Sequence, residues 1–216
     1  MSDEPREAVI RATYRALCAH GYANLTMQDI ADETDLSKAT LHYHYDTKRD
    51  LLIAFLDALT SWYEGRLETL AGDDAAERLA SLFDECLSPD DSDSDTDYPA
   101  FHTALLEIKA QAPYDEAYRE RLAAADEVLL TRVRGIVADG VDAGTFREVD
   151  PDATAALVAD VLAGGHTRNV AVGRDLDETR AVLDGYVARH LLAAADDGDG
   201  DDCGGAPEPR PTGASR

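Results

Sequence analysis

The sequence predicts an all-α fold in which an N-terminal three-helix unit with helix-turn-helix spacing precedes a larger helical domain. Three observations predict it. Apolar residues recur at three- and four-residue spacing along most of the chain. Cap residues follow one another between residues 26 and 50, with a break of only three residues between two short helices. No stretch shows sustained two-residue alternation bounded by turn residues, so strand signals are absent.

The first helix is expected over about 5–20. Pro5 is tolerated near its start, Gly21 supplies a left-handed residue after its end, and Val9, Ile10, Thr13, Ala16 and Leu17 form its inner stripe. Thr26 with Asp29 three residues on reads as a capping box that starts a short helix from Met27 to about Thr34. Asp35, Leu36 and Ser37 make a tight break before a second short helix, Lys38 to about Tyr45. Thr47 with Asp50 repeats the cap and opens a long helix through Leu51, Leu52, Phe55, Leu59 and Trp62. Beyond Gly72, helices are expected at about 73–87, 98–112, 114–139, 151–170 and 176–194. Two segments fall out of the fold on composition: the acidic run SPDDSDSDTD at 88–97, read as an exposed loop, and a disordered acidic tail over 196–216. The domains expected are 1–46, 47–195 and that tail.

Composition narrows the function. The chain of 216 residues carries 44 acidic and 20 basic side chains, a net charge of −24, which taken alone argues against nucleic acid. Only Lys38, Lys48 and Lys109 are lysines, and the remaining basic residues are arginine. Acidic excess with lysine depletion resembles proteins of extreme halophiles, in which net charge reports the solvent more than the partner. Residues 1–52 hold six basic and nine acidic side chains, so all but three of the excess negative charges lie beyond them. Cys18, Cys86 and Cys203 are odd in number and scattered, without metal-ligand spacing or a disulfide framework. No run approaches the ~18 apolar residues of a membrane span, and the acidic start is unlike a secretory signal. A cytoplasmic protein with no membrane partner is expected.

A helix-turn-helix must hold one helix across a nucleic-acid backbone while the next lies in the major groove. Ile30, Ala31, Leu36 and Leu41 supply an inner face, leaving Ser37, Lys38, Thr40, Tyr43, His44 and Lys48 outward. From Gly21 to Leu52 the chain reads GYANLTMQDIADETDLSKATLHYHYDTKRDLL. This resembles the N-terminal signature of the TetR family: Gly-Tyr before the cap, the Thr cap, the Ile-Ala pair, the Leu-Ser break, and an aromatic then Lys at the next helix. The resemblance covers about the first 55 residues; beyond them it is architectural. Three positions depart from the pattern, with His42 in place of the usual tyrosine, Tyr45 in place of phenylalanine and Ala39 in place of a frequent glycine.

The resemblance implies a ligand-responsive regulator, a repressor that binds double-stranded DNA at a palindromic operator as a homodimer and is released by a small-molecule effector. Lys38, Ala39, Thr40 and His42 would then face base edges, while Thr26, Ser37, Tyr43, His44 and Lys48 would hold phosphates. The last two helices would pair across the dimer through Leu157, Val158, Val161, Leu162, Leu183, Tyr186, Val187 and His190, although the same stripes would equally serve the chain's own core. An effector cavity would lie among the middle helices near Phe101, His102, Leu105, Leu106, Lys109, Tyr118, Leu129 and His166. There Lys109 would either neutralise an anionic effector or snorkel to the surface. An alternative is a helix-turn-helix protein controlled by a protein partner, or acting architecturally without a small ligand. His42 and His44 sit about 200° apart on a helix and cannot share an ion unaided, so no metal is expected. No cofactor is expected either. An enzyme is not, since the chain lacks a Gly-rich phosphate loop, a nucleophile elbow, HExxH and CxxC.

Overall fold

In the computed structural model the described residues are 3–87 and 98–193. The acidic run at 88–97 and the tail from 196 lie outside them. Among the described residues the fold is all-α, with α1 Asp3–Asn24, α2 Met27–Asp32, α3 Lys38–His44, α4 Lys48–Glu68, α5 Ala75–Leu87, α6 Tyr98–Lys109, α7 Glu116–Asp142, α8 Pro151–Val172 and α9 Leu176–Tyr186. A single π turn, Val187–Leu191, extends α9.

Local chemistry sets these boundaries. Gly21 breaks α1 with φ 69°. The expected boxes at Thr26 and Thr47 both form, each hydroxyl accepting from the N–H of Asp29 or Asp50 while that carboxylate accepts from the cap N–H. Asp115 and Asp150 cap α7 and α8, and Gly173 ends α8 in the left-handed region. The expected helix over 98–112 stops at Lys109, because turn bonds from Gln111 and Ala112 to Ile108 and Lys109 tighten its end.

Two hydrophobic cores form. The first joins Val9, Ala12, Ala16 and Leu17 of α1 to Ile30, Leu41, Leu51, Leu52, Phe55 and Leu56 of the next three helices, and Ala104, Ile108 and Tyr118 of α6 and α7 close it. Thr13 is buried there, its hydroxyl donating to the Val9 carbonyl at 2.8 Å. The second core gathers Leu67, Leu79, Leu82, Phe83, Val133, Ile136, Val137, Phe146, Val158, Leu162, Leu183 and Leu191 from α4, α5, α7, α8, α9 and their ends.

This second core corrects the expected dimer stripe. Val158, Leu162 and Leu183 are buried in the chain's own interior and cannot present side chains to another copy. The apolar period is real, but half of it faces inward; residues one position apart on a helix lie 100° apart, and α8 is apolar or small on both sides. Leu157 remains 40% exposed. Val161, Tyr186 and Val187 are half-buried against the core, and His190 is exposed. The π turn explains the end of the stripe, since its wider winding turns Leu191 inward and leaves His190 in solvent.

Candidate nucleic-acid interface and interior site

Three contacts hold the helix-turn-helix. The Arg15 guanidinium donates to the Glu33 carboxylate at 2.9 Å and to the Glu33 carbonyl at 2.7 Å, tying α1 to the end of α2. Thr34 orders the break, its hydroxyl accepting from the Leu36 N–H at 2.6 Å. Ser37 caps α3, accepting from the Thr40 N–H at 3.1 Å, and the two hydroxyls lie 2.9 Å apart. Thr40 is therefore half-buried and engaged with Ser37, whereas Lys38, Ala39, His42 and His44 are exposed. Tyr43 is 85% exposed, edge-on to His44 at 5.0 Å. Leu41 is the one buried residue of α3 and anchors it, leaving Tyr43 with the polar side chains on its outer face.

The flanks are more constrained than α3. Thr26 is exposed but bonded to Asp29, whose carboxyl is held below its usual pKa, chiefly by the Thr26 hydroxyl. Lys48 is only half-exposed: its ammonium donates to the Tyr22 carbonyl at 3.0 Å and lies 4.9 Å from the centre of the Tyr22 ring, and desolvation lowers its pKa. The Tyr22 N–H, freed from the helical ladder by the Gly21 break, donates to the Glu107 carboxylate of α6 at 2.6 Å. Arg49 next to Lys48 donates to Asp115 at the start of α7, at 2.5 and 2.8 Å. In the sequence Gly21-Tyr22 stands only as a signature, and nothing there marks Tyr22, Glu107, Arg49 and Asp115 as the junction between the DNA end and the middle helices. Their partners lie 85 and 66 residues away, beyond any local pattern.

The expected effector residues do not form one group. Phe101 packs on Tyr14 at 5.0 Å, and Leu105 and Tyr118 belong with it to the first core. Burial and a bond with Tyr22 push the Tyr118 phenol up. Leu129 packs on the second core. Between the two, His102 of α6 and His166 of α8 stack with centroids 4.3 Å apart and planes within 4°. Burial, then His166 and Lys109, push His102 down to about 3, and burial with Lys109 also lowers His166. Lys109 is exposed, although desolvation of its ammonium lowers its pKa against the opposing pull of Asp126. Leu106 is half-buried on the same helix. Two shallow surface pockets, about 420 Å³ beside Arg66 and Glu85 and about 460 Å³ beside Arg15 and Glu33, touch none of these residues. Among the described residues no group of three or more His, Cys, Asp or Glu could hold a metal ion, and no helix is long and apolar enough to cross a membrane.

A capped short helix presenting polar side chains, braced by a preceding helix and tied to a helical bundle, is the arrangement of a helix-turn-helix. The chain belongs to the TetR family: the model of bacterial regulatory proteins of that family matches residues 9–55, and that of the BetI-type transcriptional repressor C-terminal domain matches residues 75–192. A TetR transcription regulator from Haloarcula marismortui is 36% identical, with a TM-score of 0.79 over 88% of this chain and 99% of its own. A regulator from Saccharomonospora viridis, solved in complex with choline, is 24% identical with a TM-score of 0.74 over 89% of this chain and 100% of its own; it shares the fold. Among curated regulators, BetI of Agrobacterium fabrum is 37% identical over 25% of this chain, and TtgR of Pseudomonas putida 26% identical over 38%. Those alignments span only 26% and 39% of the two regulators. TetR-family regulators are DNA-binding proteins and not enzymes; they typically form dimers and bind small-molecule effectors.

Proposed function

We propose that this chain is a homodimeric cytoplasmic repressor that grips a palindromic operator with α3 of each protomer and is released by a small-molecule effector. The observation that carries this reading is the outer face of α3, where Lys38, Ala39, His42 and Tyr43 stand in solvent on a helix anchored by Leu41. Lys38, Ala39, His42 and, within its bond to Ser37, Thr40 read bases. Thr26, Ser37, Tyr43, His44 and Lys48 set the register on phosphates. Dimerisation uses the outward face of α8 and α9: Leu157, Val161 and Val172 follow one another along one side, with Val172 69% and Val182 58% exposed. A two-fold dimer supplies two recognition helices for two half-sites.

Selection of bound fragments from the source genome is expected to return a two-fold sequence. Lys38→Ala should relax preference at its base and cost about 1–3 kcal/mol, whereas Tyr43→Ala should weaken all sequences alike. Equal loss of specificity from both sinks the division of roles. Val182→Glu should sediment as a folded monomer, while Leu183→Glu, which buries a charge in the second core, should not fold. A dimeric Val182→Glu protein would move the interface elsewhere.

A further inference from the structure

We propose that His42 and His44 meet DNA as imidazolium ions, so that each protomer takes up protons at these two rings as it binds and affinity for the operator rises as pH falls below neutrality. This rests on the reading of the chain as an operator-binding repressor and adds the protonation state of its recognition surface. From Met27 to Asp50 the chain carries three fixed cations, Lys38, Lys48 and Arg49, against six acids. Two of the cations are engaged within the protein. The Lys48 ammonium donates to the Tyr22 carbonyl at 3.0 Å, and the Arg49 guanidinium donates to the Asp115 carboxylate at 2.8 Å. Lys38 is the fixed cation that α3 itself exposes, too little to meet two phosphate backbones. His42 and His44 are the other exposed nitrogen bases of that helix, and neither makes a hydrogen bond among the described residues.

Leu41, turned inward, sets the orientation of α3. At about 100° per residue Tyr43 falls opposite it, and His42 and His44 fall on the two flanks, about 100° and 60° from Leu41. A helix laid in a groove therefore turns one ring toward each side, and the two charges oppose each other only weakly. Both sides of a major groove offer acceptors: phosphate oxygens along the backbone, and N7 and O6 of guanine at the base edges. A neutral imidazole has one N–H for them, whereas the charged ring has two donors and no acceptor to mismatch. Imidazole changes charge near neutrality, and an anion brought close favours the charged form, so binding draws protons from solution. The surroundings act in both directions. Lys38, one turn before His42, opposes its protonation, while Asp35 and Asp46, exposed before and after α3, favour an imidazolium and would otherwise repel the phosphates. The Tyr43 ring stands edge-on to His44 at 5.0 Å. From α1 come His20 and Arg15, the latter bonded to Glu33; from α2, Asp29 bonded to Thr26 and Asp32 bonded to Gln28; from α4, Asp50 in its cap with Thr47 beside the engaged Lys48 and Arg49.

The test is affinity against pH, with the full chain and the genomic fragment it selects, at fixed potassium chloride between about pH 6 and 8. Calorimetry in two buffers of different ionisation enthalpy counts the protons. Wild type is expected to gain roughly tenfold or more in affinity from about pH 8 to 6 and to take up protons on binding. His42→Gln combined with His44→Gln, both at exposed positions, should keep the fold by circular dichroism and flatten the profile. Each single change should remove part of the slope. His42→Lys combined with His44→Lys, which fixes the charge, should lose the pH dependence while keeping tight binding at about pH 8. Wild-type binding that does not change with pH, or a slope that survives in the double glutamine variant, overturns the proposal and leaves the repressor reading standing. A chain that retains no DNA fragment anywhere in this range removes that reading and the proposal together.

Discussion

At Gly21 two demands meet on one residue. Its φ of 69° is a conformation that costs other residues roughly 1–2 kcal/mol, and a Cβ there would sit 3.1 Å from the Glu107 carboxylate. Gly21→Ala is therefore expected to lower stability by about 1–2 kcal/mol in denaturant unfolding and to weaken operator binding even where the protein is fully folded. A variant with unchanged affinity would show that the Tyr22–Glu107 bond does not position the DNA end. The left-handed glycine is legible in the sequence as a helix stop, because that signal is local. What the stop is for is not, since the freed Tyr22 N–H finds its acceptor on α6. Lys48 differs from its expected outward place for a related reason: its position on α4 is outward, but its long stem turns back to the Tyr22 carbonyl.

Elements are legible where caps announce them, and less so where faces must be told apart. The starts of α2 and α4 follow from the caps at Thr26 and Thr47, and that of α3 from the break at Ser37, which the structure shows to be a cap as well. The face of α8 is not legible, as Leu157 and Val158 are equally apolar neighbours and only the position of α7 decides which is inside. The start of α7 carries a prediction about acid. Asp115 accepts from the Ala117 and Tyr118 N–H groups and from Arg49, and the Arg49 guanidinium, ahead of the other causes, brings its carboxyl down to about 2. Its folded pKa lies below the unfolded value near 3.8, so this contact stabilises the protein above about pH 4 and is lost as pH falls toward 2. Asp115→Asn keeps a capping oxygen without the ion pair. Wild type should exceed it in stability at pH 7, with the gap closing between about pH 4 and 2. A gap independent of pH would show that the pairing adds nothing to the cap.

For the whole molecule the dominant feature of the composition is its charge. A net −24 repels itself and a duplex in dilute buffer, and screening shortens that repulsion to ~3 Å at 1 M salt. The melting temperature followed by circular dichroism is expected to rise with potassium chloride, and specific binding to survive concentrations that strip basic repressors from DNA. Full folding at low ionic strength with binding that falls steeply as salt is added would overturn this. Trp62 is a poor reporter for that titration, since it is 57% exposed with Arg66 over its ring. The first core has a different consequence, for recombination. Ala104, Ile108 and Tyr118 close the interior of the DNA-binding unit from helices that follow α5 in the chain. A chimera cut at residue 46 would leave that interior roofed by a stranger's side chains. The segment that can be exchanged between such regulators is discontinuous: α1 to α4 together with the facing turns of α6 and the first turn of α7.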